Sequence, residues 1–137
     1  MKTLEAVIYV EPTPKGRPRF TTINGHASTY TPKKTARAEA VTIADIRRQV
    51  LAEGSFEEGV PLRFDVTFYR VRPKSTPKRV VYPVKRPDGN NYESLLFDAL
   101  QHFVFPDDSQ IVSCTWRKRF CQPRQPPRIE LKISEEE

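Results

Sequence analysis

Between Leu62 and Tyr69 the chain alternates without a break, with Leu62, Phe64, Val66 and Phe68 on one side and Arg63, Asp65, Thr67 and Tyr69 on the other. A two-residue period belongs to extended chain, and apolar groups on one side only require a half-buried strand. That apolar side needs cover. From about Asn91 to Phe103, Tyr92, Leu95, Leu96, Ala99, Leu100 and Phe103 recur at three-and-four spacing, the apolar stripe of a helix. Ile111 to Phe120 alternates again, with Val112, Cys114, Trp116 and Phe120 on one side and Ser113, Thr115, Arg117 and Arg119 on the other. Trp116 is read as a core residue.

The remaining elements follow from the same rules. Leu4 to Val10 is rich in β-branched and aromatic residues and reads as a strand, ended near Glu11 by Pro12 and Pro14. Residues 11–30 lack periodicity and read as a long functional or mobile loop, with a small hairpin at residues 23–26. Thr31-Pro32 is an N-cap followed by proline in the first helical position. A helix is expected over residues 33–53, with Gly54 as its stop. Residues 73–87 are a basic, proline-punctuated connection in which residues 80–82 suit a short strand. After the break at Pro126-Pro127, Ile129, Leu131 and Ile133 form a last strand. The order implies an α+β domain, a small mixed sheet covered by two main helices. With 137 residues there is room for one domain, residues 1–134, and a frayed acidic tail at residues 135–137.

Charge narrows the function. The chain carries 23 Lys+Arg against 17 Asp+Glu, and the excess is segregated. No acid occurs from Val66 to Pro87, which holds Arg70, Arg72, Lys74, Lys78, Arg79, Lys85 and Arg86. None occurs from Ser109 to Ile129, which holds Arg117, Lys118, Arg119, Arg124 and Arg128. With Lys15, Arg17 and Arg19 near the start, these runs favour a nucleic-acid partner over a merely solvated surface. No apolar run approaches the ~20 residues that span a bilayer, and Glu5 falls where a signal peptide needs apolar sequence. A cytoplasmic protein is expected. Cys114 and Cys121 form no disulfide framework and no zinc pattern, so any metal would need oxygen ligands.

Those oxygens occur in two turns. Asp88, Asn90 and Asn91 precede the second helix, and Asp107 and Asp108 follow it. Clustered carboxylates with an open position bind Mg²⁺ and suit phosphodiester hydrolysis. The helix between them is about 20 Å long, so tertiary packing or a partner subunit must bring Asp88 and Asp108 together. The alternative is ordinary: Asp88, Asn90 and Asn91 as helix caps, Asn90 with Glu93 as a capping box, and Asp107-Asp108 as a turn.

Four segments carry a resemblance. PKGRPRF at residues 14–20, KRPDGNN at 85–91, FDAL at 97–100 and PDDSQI at 106–111 together resemble, in order and spacing, the RusA family of Holliday junction resolvases. The resemblance implies a homodimeric, Mg²⁺-dependent endonuclease (Mn²⁺ serving in its place) that nicks four-way or otherwise branched DNA symmetrically. It implies a phage or prophage origin and no small-molecule cofactor or membrane. The family's Asp-x-Asp-Asn motif falls on Asp88, Gly89, Asn90 and Asn91, and its third acid falls on Asp108 with Asp107 beside it. Asp88, Asn90 and Asp108 are thus the implied catalytic positions, and these with Asp107 the implied metal ligands. Lys15, Arg17, Arg19, Lys85, Arg86, Arg117 and Arg119 are the implied DNA contacts, Arg117 and Arg119 being equally suited to a paired surface role. Two departures stand out. Asn90 replaces the second aspartate, and Ser94 replaces a common lysine. Asn90 is either a deliberate Asp→Asn change or a natural weakening, which leaves a non-catalytic junction- or DNA-binding protein with a degenerate metal site as the alternative. Phe20, Tyr30 and Tyr82 are read as packing residues before base-stacking ones.

Overall fold

The computed structural model describes residues 2–16, 19–30, 32–50 and 55–136, with backbone alone at Arg19, Phe20, Thr21 and Ile23. The expected N-cap Thr31, the stop Gly54 and the basic residue Arg17 lie outside the described residues. Along the chain come β1 (Thr3–Ile8), β2 (Arg19–Ile23), β3 (His26–Tyr30), α1 (Lys33–Val50), β4 (Leu62–Arg70), α2 (Gly89–Leu100), β5 (Ile111–Phe120) and β6 (Arg128–Glu135). A short 3₁₀ turn, Asp108–Gln110, leads into β5.

Four strands form one mixed sheet in the order β1-β6-β4-β5. β4 and β5 are parallel, joined through α2, while β6 is antiparallel to both β1 and β4. The alternation that defines β4 is met in full: Leu62, Phe64, Val66 and Phe68 are buried, and the residues between them are not. Leu4 and Ile8 of β1 and Ile129, Leu131 and Ile133 of β6 complete the apolar side of the sheet. Ile46 and Val50 of α1 and Leu95, Leu96, Ala99 and Leu100 of α2 pack onto it as one core. Phe64 meets Phe97 and Phe105 edge-on at ring separations of 5.1 and 5.8 Å. The small mixed sheet with two helices is the α+β arrangement expected.

Several boundaries differ, each for a local reason. β1 stops at Ile8 because the side chain of Gln49 takes both polar groups of Tyr9, accepting from its N–H and donating to its carbonyl. The 23–26 hairpin is larger than expected, pairing from Arg19 with Tyr30 to Ile23 with His26. Its turn has positive φ at both Asn24 and Gly25, the Asn-Gly geometry that suits a two-residue hairpin. α2 starts at Gly89, two residues before the expected Asn91, and ends at Leu100, where Gln101 turns extended and His102 takes a positive φ. Residues 80–82 form no strand. Turn bonds from Thr76 N–H to Pro73 and from Val80 N–H to Pro77 shape that segment instead.

Two further expectations need correction. Trp116 is not core: it is 39 % exposed, because β5 is an edge strand, and the start of α2 lies against its ring. The tail does not fray at residue 135, since β6 runs through Glu135 and the Glu136 N–H donates to Pro61. Among the described residues no helix is long and apolar enough to cross a membrane.

Candidate functional site

β1, β4 and β5 all run in one direction, so their C-terminal ends share an edge of the sheet. From that edge leave three connections: residues 9–16, 71–88 and 121–127. In sheets with parallel strands the C-terminal edge is where ligands are usually held. Here it gathers the first and second of the family-like segments, together with the start of α2.

Asp88 is the N-terminal flanking residue of α2, with extended backbone (φ −69°, ψ 150°) and no side-chain capping bond. The ordinary explanation of this aspartate, a cap, is therefore not realised, and its carboxylate is exposed at the helix's positive end. Asn90 is also exposed, and lies in the first turn rather than at a cap, so no Asn90–Glu93 capping box forms. Its carbonyl accepts from the Ser94 hydroxyl. Gly89 is required: a Cβ there would sit 2.1 Å from the Trp116 ring.

The approach to Asp88 is fixed by bases whose donors are turned onto backbone carbonyls. Lys118 Nζ donates to Pro87 and Lys85 at 3.0 and 3.3 Å. Arg70 donates to Arg86 at 3.3 Å. Arg72 donates to Val80 and Pro77, both at 2.6 Å, while its guanidinium lies 5.1 Å over the Phe120 ring. The Arg86-Pro87 peptide is cis. Sequence reading missed these positioning roles. One signal was available, because Lys118 is a charge in the otherwise apolar series Val112, Cys114, Trp116, Phe120.

The expected DNA contacts sort differently. Lys85 and Arg86 are exposed beside Asp88. Lys15 reaches back to α2, its Nζ pairing with Asp98 and its N–H donating to Asn91. Arg117 pairs with Asp65 at 2.7 Å on the sheet's other face, and that carboxylate pushes its pKa up. Arg119 stacks 5.1 Å over Tyr82. Arg19 contributes backbone to β2, and its side chain lies outside the described residues. Tyr30 and Tyr82 are exposed rather than packed, at 47 % and 55 %. Glu11, another residue that sequence reading passed over, reaches this edge. Loss of water raises its pKa, opposed by the Val71 N–H and by Arg70.

Asp107 and Asp108 stand elsewhere. The Gly89 backbone lies against Trp116, and Asp108 precedes Ile111, some five strand residues or about 17 Å earlier along β5. α2, 12 residues long, spans a similar ~18 Å. Asp107 is engaged structurally: it accepts from the Ser109 N–H at 3.0 Å, and hydrogen bonds from Ser109 hold its carboxyl below the usual aspartate range, while its own N–H donates to Gln110. Buried Gln110 in turn donates to Glu57 and Val60. The turn reading is thus realised at Asp107. Among the described residues no three His, Cys, Asp or Glu side chains group so as to hold a metal ion. The acids among the described residues of the single chain do not group to fit the divalent metal that the resemblance implies.

Comparison with known proteins agrees with the sequence resemblance. The family model described as Endodeoxyribonuclease RusA matches residues 10–134. The chain is also 30 % identical over 148 aligned positions to a Bacillus subtilis (strain 168) protein named Uncharacterized protein YqaN, covering 98 % of each.

Proposed function

From membership of the RusA family of Holliday-junction-resolving endodeoxyribonucleases, to which this chain belongs, we propose a divalent-metal-dependent nuclease of branched DNA whose acidic site is shared between two copies of the chain. The observation that carries the reading is Asp88: a carboxylate free of any capping bond, at a helix N-terminus, on the edge where the basic connection 71–88 ends. Lys85 and Arg86 hold phosphates beside it. Asp108, at the far end of α2, serves the partner's Asp88 in a two-fold pair, which also supplies the two centres that symmetric nicking requires. No catalytic step is assigned to a single protomer, because its own acids do not converge. Asn90 contributes an amide oxygen where a second carboxylate would add charge, so this chain holds DNA better than it cuts it.

Asn90 and the unconverged acids also favour a second reading, a DNA-binding protein without cleavage. Mg²⁺-dependent nicking of a synthetic four-way junction, beside a linear duplex of the same sequence, separates the two. Asn90→Asp is expected to increase junction nicking; no gain would favour the binding protein. The shared site is tested in that background by mixing Asp88→Asn chains with Asp108→Asn chains. Each variant alone should be inert, whereas mixed dimers retain one complete site and recover nicking. Inert mixtures that still dimerise would place both acids in one protomer and overturn the arrangement.

A further inference from the structure

Beneath connection 71–88 lies a cavity of about 320 Å³ that the resolvase reading does not use. Its walls are mainly apolar, with Pro77, Tyr82, Pro83, Val84 and Phe120, and Arg70, Arg79 and Lys85 also line it. Volumes of this order accept small planar ligands. Two wall residues are also open to solvent, Tyr82 at 55 % and Val84 at 80 %, and Val81 next to them at 65 %. A cluster of exposed apolar groups is unusual on a connection this rich in charge.

The surroundings say which ligand. Lys74, Lys78, Arg79, Lys85 and Arg86 are all exposed, and none has an ion-pair partner among the described residues. No acid interrupts the sequence from Val66 to Pro87. A lipid or peptide would not call for both an aromatic-lined slot and unpaired cations, Arg79 and Lys85 in its wall and three more on the same connection, whereas a nucleotide does: its base seeks a stacking surface and its phosphates seek bases. The cavity is preorganised, since Arg72 clamps Pro77 and Val80 from within the connection, and Arg70 and Lys118 clamp its far end. The same chain then passes directly into Asp88.

We propose that this cavity takes one unstacked nucleobase of branched or single-stranded DNA, with the face of Tyr82 not taken by the Arg119 guanidinium as its stacking surface. The proposal rests on the nuclease reading and deepens it. A base held here sets the register of its strand relative to Asp88. A duplex, whose bases are all stacked, has nothing to offer the cavity, so the cavity discriminates branched from linear DNA. Walls that are largely apolar read a base's flat face rather than its edge, so the preference among the four bases is weak.

The test measures binding without metal, so that nothing is cut, to a four-way junction, a single strand and a linear duplex. Each is made with and without abasic sites, placed at the branch point in the junction. Removing the base and replacing the ring by Tyr82→Ala should each weaken junction binding about tenfold, in the range base–aromatic stacking commands. Together they should cost no more than either alone, because they delete one contact. Tyr82→Phe should bind as the parent, and duplex binding should be unchanged throughout. Additive losses, or equal losses on junction and duplex, would overturn the base cavity. A parent chain with no preference for junction over duplex would instead overturn the nuclease reading; coupling between Tyr82 and the base on single strands would then still support the cavity.

Discussion

At Gly89 two needs meet in one atom's space. The residue must start α2, and Trp116 must lie flat on its backbone. Gly89→Ala is expected to lower the melting temperature, at a cost of about 1–3 kcal/mol typical of overpacking. Part of that loss should return in Gly89→Ala with Trp116→Leu; strict additivity of the two changes would deny the contact. This coupling explains why Trp116 misleads a sequence reader. Its position in the alternation is right, but an edge strand and a helix terminus cover less of it than two neighbouring strands would. Cys114, two positions earlier, shows the opposite case. Burial, with Glu93 and Asp65 nearby, pushes its thiol up to about 12. At pH 8 a thiol reagent should therefore label Cys121 first and reach Cys114 only after unfolding, as mass spectrometry of the labelled peptides would show.

Elements with a strict period were legible, and those shaped by distant donors were not. β4 and β5 follow from alternation alone, and α2 from its stripe. Connection 71–88 takes its form from Arg70, Arg72 and Lys118, whose targets are carbonyls up to 33 positions away, and no local pattern announces such bonds. The turn before β5 is similar. Gln110→Ala would leave the carbonyls of Glu57 and Val60 without their donor, a loss of about 1–3 kcal/mol by urea unfolding. Asp107 offers a pH signature for the same turn. Its folded-state pKa lies below its ordinary value, so its contribution is present above the ordinary carboxylate range and disappears as pH falls through the folded value. The parent should therefore exceed Asp107→Asn in stability at neutral pH, and the difference should vanish in strong acid. A difference independent of pH would assign Asp107 no charge-dependent role.

For the molecule as a whole, sequence reading foresaw the separation of the acidic turns but not the arrangement of the bases. It identified both acidic turns and noted that α2 holds them apart. That separation stands: the sheet puts Asp88 at one edge and Asp108 toward the other. The three basic segments divide as well, with the unpaired cations concentrated on connection 71–88 while Lys15 and Arg117 are occupied by Asp98 and Asp65. Salt should weaken junction binding steeply, and Lys85→Ala with Arg86→Ala should flatten that dependence by nearly two phosphate contacts. An unchanged slope would move the phosphate path elsewhere. In a two-fold pair with shared acids, each centre consists of one chain's Asp88 and the other's Asp108. The distance between the two centres is then the span within a single chain, ~18 Å by the length of α2. In that pair the helix would work as a ruler for the two cuts: a variant with one turn added to α2 would keep every acid and every base, yet present the paired centres at the wrong interval for the strands they must reach.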